Sequence, residues 1–248
     1  MKVILFIPCY NVASKVTQVL DALSPEILQR FWAIYLIDNG SSDGTREILQ
    51  RYAKARPEFT LFFNERNYSL GGSTIIAFRE AIRAGADFVI CMHSDGQADP
   101  KDLAKFFPLS QDEDFVFGSR MLGASRTSDY SLLRKAGNYF FALLQQLILR
   151  QRIFDIGAFV AFNLKTIRSI PFERIPADMS YHPTLVLYLA RQKRLRLREF
   201  PIYWGPVHGT EVNIWAYGTK HLTKLLAMAL GLYRLSNQKL VDFQTKTP

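Results

Sequence analysis

The first half of the chain alternates short runs of β-branched and aromatic residues with stretches of helical periodicity, and each apolar run breaks off into a polar cluster. "KVILFIPCY" (2–10), "FWAIYLIDNG" (31–40), "FTLFFNE" (59–65) and "DFVICMH" (87–93) read as strands. Between them, "SKVTQVLDALSPEIL" (14–28), "SDGTREILQRYAKA" (42–55) and "GGSTIIAFREAIRAGA" (71–86) read as helices, the first with Ser14 as its N-cap. Repeated strand–helix–strand units of this kind build a mostly parallel sheet with helices packed on it, an α/β fold. Ligands of open α/β sheets sit at the carboxyl ends of the strands. The clusters "CYN", "DNGSSDGT", "NERNYSLGG" and "HSDGQAD" therefore converge on one crevice.

The fourth cluster carries the most chemistry. Asp95 and Gln97 place two oxygen donors two positions apart, a spacing suited to a divalent cation, but the alternating set is completed by His93. In the second half, "DFVFGSRM" (114–121), "IGAFVAFN" (156–163) and "LRLREFPIYW" (195–204) read as further strands. "YSLLRKAGNYFFALLQQLILRQR" (130–152), "PTLVLYLARQ" (183–192) and "YGTKHLTKLLAMALGLYRL" (217–235) read as helices. At 248 residues, with no linker or repeat, the chain is expected to form one domain with a C-terminal extension. Cys9 and Cys91 each end an apolar run and read as buried free thiols of a reducing compartment. No run approaches the roughly 20 apolar residues of a bilayer span, and the N-terminus is too short in apolar residues for a signal peptide.

Charge is distributed unevenly. Residues 1–124 carry 13 Lys+Arg against 15 Asp+Glu, and residues 125–248 carry 18 against 7. An excess of cations confined to one half points to a polyanionic partner: nucleic acid, a phosphorylated ligand or an anionic lipid surface. The basic residues stand in no RNP, helix-turn-helix or zinc-ligand context, which argues against nucleic acid.

The ordered set "IPCYN", "IDNGSSDGT", "HSDGQADP", "FGSRM", "DIGAFVAFN" and "EFPIYW" resembles the family 2 glycosyltransferases of GT-A fold. Within them it is most similar to the polyprenyl-phosphate hexosyltransferases of the dolichyl-phosphate mannose synthase type. The resemblance spans roughly residues 2–215 and implies a glycosyltransferase domain over 1–215 and a C-terminal amphipathic helical extension over 216–248. It also implies a nucleotide-sugar donor and a divalent metal that bridges the donor's diphosphate. Carried over by position, Pro8, Tyr10 and Asn11 lie beside the base, Asp38 and Asn39 at the second strand end, and Ser94 beside the nucleotide. Gly71 and Gly72 would let backbone approach it. Ser41, Asp43 and Thr45 also suit a turn and helix cap with no ligand.

Three residues depart from the family pattern: Val12 where Glu commonly follows the Asn, Asn39 for the usual second Asp, and His93 for the first Asp of the metal motif. Imidazole ligates manganese better than magnesium. His93, Asp95 and Gln97 thus form a manganese-leaning site, or Asp95 and the diphosphate hold the metal while His93 contacts nucleotide, or the activity is lost.

Arg120 is either a cation facing a phosphate or a salt-bridge partner. A hydroxyl acceptor requires a base, for which Asp155, Asp178 and His182 are available. A polyprenyl phosphate, with a second pKa near 6, needs cations instead, for which Arg126, Arg134 and Lys135 are candidates, and His208 and Thr210 stand where the family often carries an Arg and a Gly-x-Ser pattern. The helices at 134–152 and 220–235 carry apolar residues between basic ends, Lys220, Lys224 and Arg234 among them. Such helices lie at an anionic membrane surface, pack on the sheet or form a homodimer. The expected location is the cytoplasmic face of the membrane, peripherally bound. Three functions follow from these readings: transfer of a hexose, with inversion, to polyprenyl phosphate, transfer to a saccharide or other hydroxyl, and a catalytically silent nucleotide-binding or assembly protein.

Overall fold

The computed structural model describes residues 1–109, 112–128, 131–156, 159–206 and 214–235. Its centre is a seven-stranded sheet. In chain order the strands are β1 (Val3–Cys9), β2 (Ala33–Asp38), β3 (Phe59–Phe63), β4 (Phe88–Cys91), β5 (Phe115–Ser119), β7 (Phe159–Asn163) and β8 (Leu197–Pro201). Their spatial order is β3-β2-β1-β4-β7-β5-β8, and β7 alone runs antiparallel to its neighbours. Two short strands, β6 (Arg126–Thr127) and β9 (Tyr203–Trp204), pair in parallel outside it.

Both faces of the sheet are covered, as near-continuous apolar strands require. Alternate residues of β1 divide between the two cores. Val3, Leu5 and Ile7 pack with Val16 and Leu20 of α1 (Ala13–Asp21), while Ile4 and Phe6 pack with Ile75 and Phe78 of α4 (Ser69–Arg83). The first of these faces also holds α2 (Pro25–Leu28) and buries Leu49 of α3 (Thr45–Ala55). The second holds α5 (Leu132–Leu149), α6 (Leu164–Ile167), α7 (Tyr181–Ala190) and α8 (Ile214–Ala229). Leu225 and Met228 of α8 are buried there, and α8 packs on α5 and α7.

The structure corrects the sequence reading at three places. The first helix starts at Ala13 rather than after Ser14, because its cap comes from elsewhere: Asp43 Oδ2 accepts the Ala13 N–H (2.9 Å) and Thr45 Oγ1 the Val12 N–H (2.9 Å). It also breaks before Pro25, which lacks the N–H needed to continue it and starts a separate turn. "LRLREFPIYW" is two strands, since after Pro201 the chain leaves β5 and pairs with β6. Gly118 makes room for that departure: a Cβ there would lie 2.8 Å from Ile202 Cγ2.

Candidate active site

Strand direction assembles the site. β1, β2, β3 and β4 are mutually parallel, and β5 and β8 run with them because β7 is antiparallel to both β4 and β5. The carboxyl ends of β1–β4, β5 and β8 and the amino end of β7 therefore share one edge. It carries Asn11, Asp38, His93–Gln97, Arg120, Asp155 and Trp204. A cavity lined by Met1, Phe107, Lys165 and Arg168 lies at the other edge, where β1 and β4 begin, and contains none of these residues.

The loops at the edge are tied together through side chains. Ser94 Oγ donates to the Pro8 carbonyl (2.7 Å), joining the ends of β4 and β1. Asn11, at φ +49, accepts the Ser42 N–H on Oδ1 (2.9 Å), and Ser41 Oγ accepts the Asn11 N–H (3.1 Å). Ser41, Asp43 and Thr45 thus make the structural turn that "GSSDGT" suggests. Tyr10 stands exposed at the rim. Asp38 is fully buried: Oδ1 accepts the Ser41 N–H (3.1 Å) and Oδ2 is paired with Arg46 Nε (2.7 Å).

Asn39 is a hub. Its Oδ1 accepts from Asn64 Nδ2 (2.8 Å) and the Tyr68 N–H (3.0 Å), and its Nδ2 donates to Asn67 Oδ1 (2.8 Å) and the Ser69 carbonyl (3.2 Å). These four bonds use the hydrogen-bonding capacity of the amide. Asn39 organises the 64–69 loop and has no valence left to read a base. Gly71 likewise serves the chain itself, since a Cβ there would lie 2.6 Å from Ala177 Cα and 2.9 Å from Tyr181 Cβ. Gly72 is buried beside it.

The His93–Gln97 segment leads into a connected cluster. Asp95 Oδ1 accepts the Gln97 N–H (3.0 Å), and Gln97 Nε2 donates to the Gly205 carbonyl (3.5 Å). Gly205 N–H in turn donates to the Gln97 carbonyl (2.6 Å), and Ala98 bridges to Trp204. His93 meets Trp204 edge-on at 6.4 Å, and the Arg120 guanidinium lies over the same ring at 5.1 Å. Asp155 binds that guanidinium in bidentate fashion, at 2.7 Å from Nε and 2.8 Å from Nη2, and also accepts the Arg120 N–H. Trp204, the centre of this cluster, is absent from the sequence expectations. An aromatic residue at the end of an apolar run reads as core, and its position as the last residue of a predicted strand was the available signal.

Other candidates lie apart or are engaged. Asp178 pairs with Lys224 Nζ (2.5 Å) and accepts from Ser180 Oγ (2.8 Å). Burial alone would raise its carboxyl, but these bonds outweigh it and hold the group below its ordinary value. Arg126 is exposed on β6 beside Tyr203, and Lys135 lies in the first turn of α5 with Arg134 before it. His208 and Thr210 lie outside the described residues.

His182 is buried, its Nε2 2.9 Å from Thr74 Oγ1 and its ring against Phe162. Burial, reinforced by His93, depresses its pKa from 6.5 to about 3, and His221, beside Gln145, falls to about 4, chiefly by burial. Both are therefore neutral in the folded chain at pH 5, whereas unfolded chains protonate them below about 6.5. The unfolded state binds the extra protons, so stability falls as pH drops through that interval, by about 2 kcal/mol per histidine at pH 5. Urea unfolding at pH 7 and pH 5 should show this loss, and His182→Gln with His221→Gln should flatten it.

Three of the site's carboxylates are neutralised within the chain: Asp38 by Arg46, Asp155 by Arg120 and Asp178 by Lys224. Asp95 is in no ion pair among the described residues. Nor does any group of three His, Cys, Asp or Glu among them form a closed metal cage. An open carboxylate beside an imidazole fits a cation whose remaining ligands come with a phosphorylated substrate.

Residues 4–170 match Glycosyl transferase family 2. A UDP-N-acetylglucosamine--dolichyl-phosphate N-acetylglucosaminyltransferase of Methanococcus voltae is 25% identical over 246 residues, covering 92% of this chain and 96% of its own. An undecaprenyl-phosphate mannosyltransferase of Micrococcus luteus is 26% identical over 246 residues, covering 94% and 100%. Among solved structures, glucosyl-3-phosphoglycerate synthase from Mycobacterium tuberculosis superposes with a TM-score of 0.69 at 16% identity over 99% of this chain and 86% of that one. A mannosyltransferase from Pyrobaculum calidifontis, in complex with GDP-Man and Mn2+, gives 0.65 at 18% identity over 94% and 65%. The central sheet is the GT-A fold of these glycosyltransferases, and with residues 4–170 matched, the chain belongs to glycosyltransferase family 2.

Proposed function

We propose that this glycosyltransferase moves a hexose, with inversion, from a nucleotide sugar to a polyprenyl phosphate, working from the cytoplasmic face of a membrane. The observation that carries the choice of acceptor is the state of the three base candidates. Asp155 is clamped by Arg120, Asp178 is paired with Lys224, and His182 is buried and bonded to Thr74. A hydroxyl acceptor needs a base to remove its proton, whereas a phosphate monoester is already largely dianionic at neutral pH. An acceptor that requires positioning rather than deprotonation suits this edge, and both curated relatives are named for transfer to a polyprenyl phosphate.

On this reading Asp95 and His93 hold a divalent cation, and Gln97 supports the loop that carries them. The chemistry a bound cation supplies is neutralisation of charge on the departing nucleoside diphosphate. The solved relative with GDP-Man and Mn2+ supports a metal of this kind. Imidazole in the donor set favours manganese over magnesium. Asp38 and Asn11 shape the donor end through the loops they fix, while Arg126, Arg134 and Lys135 lie in the segment that follows β5, where an acceptor phosphate would be met.

The helices α5 and α8 support a lipid acceptor. Tyr139, Leu143 and Leu147, one turn apart on α5, are exposed, the last two at 57% and 66%, as are Leu226 on α8 and Leu230 just past its end. Lys135, Arg150 and Arg152 flank the first stripe, and Lys220 and Arg234 the second. No helix among the described residues is long and apolar enough to cross a membrane. Apolar stripes between basic ends suit a headgroup layer, where each cation contributes about 1 kcal/mol. Wild-type protein should sediment with anionic vesicles at low salt, and Leu143→Glu with Leu147→Glu should remain in the supernatant. Protein that never sediments, or a stripe variant that instead abolishes a dimer, would count against the lipid reading.

A further inference from the structure

The structure assigns to Glu199 the role of a positioning residue that sets the Arg120 guanidinium beside His93 and Trp204 through the backbone of Asp155. Glu199 lies in β8 opposite Phe117 of β5. Its Oε1 accepts the N–H groups of both Phe154 and Asp155 at 3.0 Å, and its Oε2 also lies 3.0 Å from the Phe154 nitrogen. The next link is the Asp155 carboxylate, which receives three bonds from Arg120. The last is the guanidinium over the Trp204 ring, whose edge contact is His93. Sheet, loop carboxylate, cation and aromatic thus form a single chain of contacts ending at the metal motif.

Chemically the arrangement is unusual, because a second carboxylate, Glu199, is brought close to Asp155, the one that holds the guanidinium. Burial, and then the charge of Asp155, push the Glu199 carboxyl above its ordinary value despite the backbone bonds it accepts. What the carboxylate provides is an oxygen that accepts two consecutive N–H groups and fixes the peptide preceding and bearing the Asp155 side chain. Loss of that constraint frees Asp155 to turn, and Arg120 with it. A displacement of about 1 Å in such a group is enough to cost on the order of 100-fold in rate.

This inference rests on the transfer proposed above, and its test keeps the two separate. Glutamine can place its carbonyl oxygen where Oε1 lies, so Glu199→Gln should keep activity within about threefold, whereas Glu199→Ala should lose about 10- to 100-fold in kcat/KM. In an Arg120→Ala background, Glu199→Ala should add almost nothing, because its effect runs through Arg120. Independently of activity, the Arg120 Nε–H resonance in a nitrogen-15 spectrum should be protected in wild type and Glu199→Gln and exchange-broadened in Glu199→Ala, while the backbone amide spectrum stays folded. A protected resonance in folded Glu199→Ala would overturn the assignment, as would additive losses in the double variant. If Glu199→Gln is as impaired as Glu199→Ala with the resonance intact, the carboxylate acts directly and the positioning role is wrong. Wild type without transfer activity would reject the proposed reaction, and the resonance would still decide the role of Glu199.

Discussion

Asp95→Ala should abolish transfer, lowering kcat/KM by about a thousandfold, while the fold stays intact. Among the described residues Asp95 accepts a hydrogen bond from the Gln97 N–H and is in no ion pair. Its truncation therefore costs about 1 kcal/mol of stability. The same carboxylate is an open anion beside His93 in the chain, so diphosphate binding in the variant should no longer respond to metal. Calorimetry with a nucleoside diphosphate, in manganese and in chelator, separates the two: wild type distinguishes the conditions and Asp95→Ala does not. Equal affinity in all four combinations would remove Asp95 from the metal site. His93→Asp belongs to the same experiment. It replaces imidazole with a hard oxygen and a negative charge, so magnesium should then support transfer nearly as well as manganese. Identical metal profiles for wild type and His93→Asp would place His93 outside the metal's ligands.

Arg120→Ala carries the largest expected stability loss. Asp155 is buried, at 6% exposure, and the Arg120 side chain is 16% exposed. Removal of the guanidinium takes away two charge-assisted bonds to the carboxylate, while the Arg120 backbone N–H still donates to it. Glu199 is close by, so the uncompensated charge sits in a second acidic field. Breaking one side of a buried pair costs about 3–5 kcal/mol. Urea unfolding should show that loss in Arg120→Ala, and a smaller one when Asp155→Asn accompanies it, since the stranded charge is then gone. A loss under about 1 kcal/mol for Arg120→Ala would mean the pair is effectively solvated.

The edge itself was readable in the sequence because a parallel sheet imposes a simple rule on it: apolar runs buried on both faces must end where polar chemistry begins. "IPCYN", "LIDNG" and "CMHSDGQ" show that transition within single short stretches. The partners of the polar groups were not readable in the same way. Arg46 reaches Asp38 from eight residues away and Lys224 reaches Asp178 from 46, distances over which no local pattern operates. Asn39 at a strand end suggests a ligand contact equally well whether its amide faces a base or four residues of the 64–69 loop. The apolar character of Trp204 conceals a wall of the site, and the break after Pro201 that carries it out of the main sheet goes with pairing to β6, a two-residue strand that no run of residues announces.

Incubation of the protein with a panel of radiolabelled nucleotide sugars, polyprenyl phosphate and manganese, followed by organic extraction, tests the central claim most directly. The account predicts that label from one donor passes into the organic phase, that omission of polyprenyl phosphate or addition of chelator prevents it, and that Asp95→Ala does not support it. Label transferred instead to a water-soluble saccharide acceptor, with none extracted, would contradict it.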